Sequence, residues 1–247
     1  AQPAAPARRV SARVAFSQPT VGPPLEHIPA VLAEQNGIID TALINSLILT
    51  VASVNIPVNL TAMEAFFVQR RRDRVATVVM ALMIMGLILP PALVPTIYTL
   101  QALNLYKTIF GLVLVEVTQL MPFSVLVFRA FVATIPRELD EAAVMDGASP
   151  LRLFFRVIFP MLRPAIITVI VITSVTVYND FVNPLYFLPG ADNATVQLTL
   201  FNFQGQFSAR WHLLFTDVLL ITIPPLIMFM FFQRQIVSGM TTGAIKG

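Results

Sequence analysis

Three carboxylates interrupt stretches of this 247-residue chain that are otherwise apolar: Glu116, Asp180 and Asp217. Gln119 follows Glu116 by three residues, which puts both on one face of a helix, and Asn179 and Asn183 flank Asp180. Carboxylates and amides are good partners for hydroxyl groups, and these runs contain no lysine or arginine at the same depth to meet an anion. If Glu116, Gln119, Asn179, Asp180 and Asn183 line a polar route, they suit a neutral, hydroxyl-rich solute; if they do not, they hydrogen-bond neighbouring helices. Other chemistry finds little support. His27 and His212 lie far apart with no His-Glu-x-x-His spacing, and cysteine is absent, so no metal site is expected. No nucleophile or paired histidine accompanies the acids, which argues against an intramembrane enzyme. The phosphate-cradling pattern Gly-x-x-x-x-Gly-Lys-Ser/Thr is also missing, so the chain is expected to bind no nucleotide or other cofactor itself.

The elements that must position these groups follow from composition. Hydrophobic residues make up 56% of the chain and charged ones 12%, against about 25% charged in an ordinary soluble domain. The expected solvent is therefore lipid, and the expected fold is all-α and polytopic. A bilayer core about 30 Å thick needs roughly 20 apolar residues as helix. Runs meeting that need extend from Thr41 to Met63, Val75 to Tyr106, Thr108 to Phe128, Pro164 to Asn179 and Leu213 to Phe232, which makes five predicted transmembrane helices. Pro90-Pro91 and Pro95 are expected to divide the second run into a membrane helix and an external or re-entrant segment. Kinks or breaks are also expected at Pro57, Pro122, Pro184 and Pro224-Pro225.

Charge sets the orientation. Eleven basic residues share one side of this topology: Arg70, Arg71, Arg72 and Arg74; Arg129, Arg137, Arg152, Arg156 and Arg163; and Arg234 and Lys246. The positive-inside rule places that side in the cytoplasm. The formal charge of +3 is thereby explained by topology, and no basic face for nucleic acid is formed. Glu116 and Asp217 then lie roughly 12 and 6 Å from the outer surface at about 1.5 Å per residue, and Asp217 is expected to reach water. Glu64 is expected to pair with one of Arg70 to Arg72 or to snorkel to the interface. Residues 1–38 are rich in proline and read as an extracytoplasmic segment, with a short helix from Pro29 to Gln35. The membrane domain is expected over 39–247, with a cytoplasmic loop at 134–163.

That loop has its own local logic. Pro136 suits a first helical turn, and Glu138, Asp140 and Glu141 sit where the helix dipole favours anions. Gly147 can adopt the left-handed conformation that ends a helix, and Ser149 can cap a second one beginning at Pro150. Leu151, Phe154, Phe155 and Ile158 then predict one apolar face, with Arg152 and Arg156 elsewhere. The outcome is a small helix-turn-helix handle in which Ala142 and Ala143 leave a smooth surface for a partner.

The residues Glu141-Ala142-Ala143, three more, Gly147, nine more, then Val157-Ile158-Phe159-Pro160 resemble the signature of permease subunits of bacterial ABC importers, with Val157 and Phe159 in place of its Ile and Leu. Asn45-Ser46-Leu47, Tyr178-Asn179-Asp180-Phe181 with Pro184-Leu185, and the ending Gly239-Met240-Thr241-Thr242-Gly243-Ala244-Ile245-Lys246-Gly247 are similar to segments of the carbohydrate branch, in the subunit type of the maltose importer's second permease. The resemblance implies a protein of the bacterial inner membrane that works with a second permease subunit, ATP-binding subunits and an extracytoplasmic solute-binding protein, with ATP and magnesium used by the ATPase. It further implies that Glu141, Ala142, Ala143, Asp146, Gly147 and Pro160 belong to the ATPase-coupling loop. By the same resemblance, the tail with Gly239, Thr241, Gly243 and Lys246 reaches the ATPase. Polyamine or glycerol phosphate cargo, and a passive channel, are the alternatives. Such permeases usually have six spans, so loss of the first by truncation, processing or a different start site is expected.

Overall fold

The computed structural model describes residues 38–71, 73–190, 193–200 and 211–244, and within the last segment the side chains of 214–233. Of the segment expected over residues 1–38, Ile38 already belongs to the first helix, and the rest, its short helix included, lies outside the described residues, as does Lys246.

From Ile38 onward the run is apolar and one continuous helix forms despite Pro57, α1 (Ile38–Arg70). Its 33 residues extend roughly 50 Å, several turns beyond a bilayer core. Asp73 starts the next helix, α2 (Arg74–Ile88), by accepting a 2.9 Å bond from the Ala76 N–H. That helix stops at Leu89, which is extended (φ −72°, ψ 134°) because Pro90 follows it. After the two prolines α3 (Leu93–Ala102) leaves at 117° to α2, the division expected within the second run. Thr108 caps α4 (Ile109–Val132) through a 3.0 Å bond from the Gly111 N–H. Gly111 has no alternative there, since a Cβ would stand 2.1 Å from the Leu105 carbonyl oxygen.

The loop at the arginine-rich end holds α5 (Glu138–Met145) and α6 (Pro150–Met161), and α7 (Arg163–Tyr178) departs from α6 at 75°. Short helices α8 (Val182–Phe187) and α9 (Val196–Thr199) follow, then α10 (Trp211–Ala244). Among the described residues α1, α4 and the Leu214–Gln233 part of α10 are each long and apolar enough to cross a membrane, and counting each bent pair as one span gives five. The fold is all-α and polytopic, as expected.

At the other prolines, where kinks or breaks are expected, no break occurs. Helices run without a break through Pro57, Pro122 and Pro224-Pro225, and Pro184 sits in the first turn of α8, where its missing N–H leaves no intrahelical bond unmade. In α1 and α4 the prolines are buried, so packing on long flanking turns holds the helix where one bond is lost.

α1 packs mainly on α4 and α7. Small buried residues along it (Ala42, Ser46, Ser53, Ala62, Ala65) allow the close approach that drives association where lipid competes equally for apolar side chains. Near the arginine-rich end Phe66, Phe128, Phe154, Leu162 and Val169 form one core, and toward the other end Leu49, Leu112, Val177 and Phe187 form a second. α2 buries only Ala76 and Met80, and its Val75, Val78, Leu82, Met85 and Ile88 stand exposed, a surface suited to hydrocarbon. The ends are well separated. Arg70 reaches the Ile135 carbonyl at one, and the Lys107 N–H meets the Phe187 carbonyl at the other.

Candidate functional site

Two polar regions occupy opposite ends of the bundle. At the arginine-rich end α5 projects with none of its residues buried. Its first turn carries Glu138, Asp140 and Glu141, as the dipole argument expects, although it starts at Glu138, leaving Pro136 outside the helix. Its far end closes by two bonds, Ala148 N–H to the Ala143 carbonyl at 2.9 Å and Gly147 N–H to the Val144 carbonyl at 2.9 Å. This is the paired closure that needs a left-handed residue after the cap, and Gly147 has φ +76°. Ser149 then accepts a 3.4 Å bond from the Arg152 N–H with Pro150 behind it, as expected.

Of the expected coupling residues, Glu141, Ala142, Asp146, Gly147 and Pro160 are exposed, while Ala143 is half-buried against the nearer core. The apolar tip was not anticipated: Met145 is 87% exposed, and Val144 and Leu151 are also open. The expected apolar face of α6 is half right. Phe154 and Ile158 are buried, but Leu151 and Phe155 are exposed and Leu153 takes a place inside. The cause is a π-helical stretch, Phe154–Ile158, which widens the turn so that Phe154, Ile158 and Leu162, four apart, align on the core. A period of 3.6 assigns the wrong neighbours across such a turn.

The root of the handle is held by a pair that sequence reasoning missed. Arg70 Nε lies 2.6 Å from Asp140 Oδ2, and its Nη2 donates to Asp140 Oδ1 at 3.3 Å and to the Ile135 carbonyl at 3.1 Å. The Nε contact is close but poorly aligned, so Nη2 supplies the directed bonds. Among the described residues no arginine pairs with Glu64, which leaves the other expectation, a side chain reaching to the interface; Arg72 lies outside the described residues. Gln69, the residue before Arg70, accepts a 2.8 Å bond from Arg129 Nε and ties α1 to α4 at the same level.

At the opposite end, α4 and α8 bring Glu116, Gln119 and Asn183 together. Asn183 Nδ2 donates to Glu116 Oε1 at 3.1 Å and to Gln119 Oε1 at 3.1 Å, while Gln119 Nε2 returns a 3.4 Å bond to Asn183 Oδ1. Asp180 Oδ1 accepts from the Val182 N–H at 2.8 Å and the Asn183 N–H at 3.3 Å, fixing the turn that aims Asn183 inward. Glu116, Gln119, Asp180 and Asn183 line a cleft of about 500 Å³ with Thr176 and Pro91. Asn179 does not join them. It bonds the Val175 carbonyl and accepts from Gln197 Nε2 at 3.2 Å. Asp217 departs further from expectation: it is fully buried and accepts a 3.0 Å bond from Thr199 Oγ1. The α9 turn covers it, a tertiary effect that depth along one helix does not reveal. No group of three or more metal-ligating residues occurs among the described residues. Gly239, Thr241 and Gly243 fall on the last turns of α10, where only backbone is described.

Residues 39–242 match the family described as "Binding-protein-dependent transport system inner membrane component". The chain is 30% identical over 207 residues to the melibiose/raffinose/stachyose import permease of Bacillus subtilis, covering 83% of this chain and 75% of that one. It is 31% identical to the trehalose transport system permease of Mycobacterium tuberculosis, covering 84% and 77%, and 31% identical to the diacetylchitobiose uptake permease of Streptomyces coelicolor, covering 82% and 74%. Its fold is similar to a chain in the crystal structure of a bacterial ABC transporter that imports the acidic polysaccharide alginate, with a TM-score of 0.75 at 19% identity over 83% of this chain and 77% of that one.

Proposed function

Because the chain belongs to the family of inner membrane components of binding-protein-dependent transport systems, we propose that it forms one half of the pore of an ATP-driven sugar importer and couples to a separate ATPase through its 136–160 loop. The observation that carries this reading is the handle. α5 closes its own C-terminal end, has no fully buried residue and presents Val144 and Met145 outward, a surface suited to being gripped by another protein. Positive-inside charge puts the handle in the cytoplasm, where ATP is. A second permease completes the pore, a solute-binding protein delivers cargo outside, and ATP with magnesium is used by the partner. The C-terminal turns of α10 extend past the bilayer on the handle's side and serve as a further contact.

Import then proceeds by alternating access. Closure of the ATPase around nucleotide pulls the handle and opens the pore outward; hydrolysis reverses it. The cleft of Glu116, Gln119, Asp180 and Asn183 supplies hydroxyl-binding groups along the route, with no lysine or arginine among the described residues that line it to favour an anionic solute. Sugar is favoured over polyamine or glycerol phosphate by the sugars named for the relatives. The test is uptake of radiolabelled melibiose, trehalose and diacetylchitobiose into vesicles holding this chain with its second permease, ATPase and binding protein. ATP-dependent uptake of one of them is expected. Uptake that persists without ATP would make the chain a channel, and ATP-driven uptake of spermidine or glycerol phosphate alone would replace sugar as cargo.

A further inference from the structure

We infer that Arg70 and Asp140 form a mechanical clamp that makes α1, rather than the covalently adjacent α4, the rod carrying handle movement to the opposite face of the membrane. The inference rests on the coupling reading above and adds the residues through which the coupling passes.

α5 buries no residue, so little besides this pair anchors its first turn to the bundle. Beyond the turn at Gly147 the handle is seated by α6, whose Phe154 and Ile158 are buried in the core with Phe66 of α1. Without the pair, however, its first turn would be joined to the bundle only through residues 133–137, and a pull on that turn would be absorbed there. Arg70 closes the gap. Its guanidinium meets both carboxylate oxygens of Asp140 side-on, bonds the Ile135 carbonyl within the loop itself, and lies 5.9 Å from the centre of the Phe66 ring. Arg70 and Asp140 side chains are only 14% and 17% exposed, so water competes weakly for the pair. A planar guanidinium that bonds Asp140 and the Ile135 carbonyl through Nη2, keeps Nε against the second carboxylate oxygen and has an aromatic ring beside it resists both pulling and rotation, which a single lysine contact does not.

The other end of α1 is equally fixed. Asn45 Nδ2 donates to the Ala194 carbonyl at 3.2 Å, and Ser46 Oγ accepts from the Val196 N–H at 2.9 Å. The same turn reaches Asn179 through Gln197, next to Asp180 of the cleft, and Asp217 through Thr199. α1 is one uninterrupted helix between these two attachments. A displacement of the handle therefore arrives at the cleft's rim as a displacement of residues 194–199, carried by a helix that stays continuous through its buried Pro57.

The chain has no cysteine, so spin labels can be placed singly. Labels at Ile44→Cys near the outer end of α1 and Leu103→Cys at the end of α3, both exposed, report movement of the rod against its neighbour. In the full transporter with unaltered clamp, adding ATP with vanadate is expected to shift the label distance. With Arg70→Glu or Asp140→Asn, the ATPase should still co-purify and bind nucleotide, because the tip of α5 is untouched, while the distance shift is lost and solute moved per ATP falls several-fold. The exchange Arg70→Asp with Asp140→Arg should restore part of the shift. Equal shifts in the single variants and the unaltered chain would overturn the clamp while leaving the coupling reading intact. So would loss of ATPase binding in Asp140→Asn, a neutral change of almost unaltered shape, since that would make the pair part of the docking surface. If the unaltered transporter neither retains the ATPase nor responds to nucleotide, the coupling reading fails and takes the clamp with it.

Discussion

The handle and the cleft satisfy their polar groups in opposite ways. At the tip of the handle the caps are local: Gly147, Ala148 and Ser149 bond within five residues of themselves, and apart from Asp140 on Arg70 and half-buried Ala143 the side chains of α5 are exposed. In the cleft the partners are 64 to 67 residues apart, and Asn183 serves both Glu116 and Gln119. A region that completes its own backbone bonds can meet a protein surface without losing any. A region whose side chains bond each other can exchange those bonds for a solute's hydroxyls at little net cost, because the alternative partner is already present when the solute leaves. The first architecture suits a permanent grip and the second a transient one.

Damage should therefore separate along this line. The largest effect is expected from Gly147→Val. A β-branched residue at φ +76° costs about 1–2 kcal/mol or more, and nothing crowds the site, so strain alone acts. Uptake should be abolished while membrane insertion and the cleft persist; ATP-driven uptake at the unaltered rate would show that the turn's shape is irrelevant to coupling. Asn183→Leu should come next. It leaves buried Glu116 without its donor at a cost of about 1–3 kcal/mol and should raise the KM for uptake with ATPase recovery unchanged. A fall in ATPase recovery instead would mean that the two regions are not independent. The smallest effect is expected from Glu141→Lys, which reverses one exposed charge on α5 and should lower co-purification of the ATPase several-fold without touching thermal stability. Undiminished recovery would leave the carboxylate merely solvated.

The same contrast explains what could be read in advance. The handle's turn, its left-handed glycine and its serine cap follow from residues within a few positions of one another, and so does the break at Pro90-Pro91. The spans follow from long uncharged runs. What escaped required knowledge of neighbours. Arg70 chooses Asp140 over Glu64, six residues away on its own helix, because folding brings the α5 first turn beside it. Asp217 is dry because α9 covers it. Leu151 and Phe155 face out because a π turn changes the period inside α6. In the cleft, four of five candidate residues converge, and Asn179 is turned away by bonds to its own helix and to Gln197.

Met145 gives the most direct test of the central claim, being 87% exposed at the tip of α5 in a chain without cysteine. In Met145→Cys, a membrane-impermeant maleimide should label the thiol in inside-out vesicles stripped of the ATPase, and rebinding the ATPase should protect it. Labelling from the outer face of intact cells, or equal labelling with the ATPase bound and removed, would contradict the assignment of α5 as the site where the ATPase takes hold.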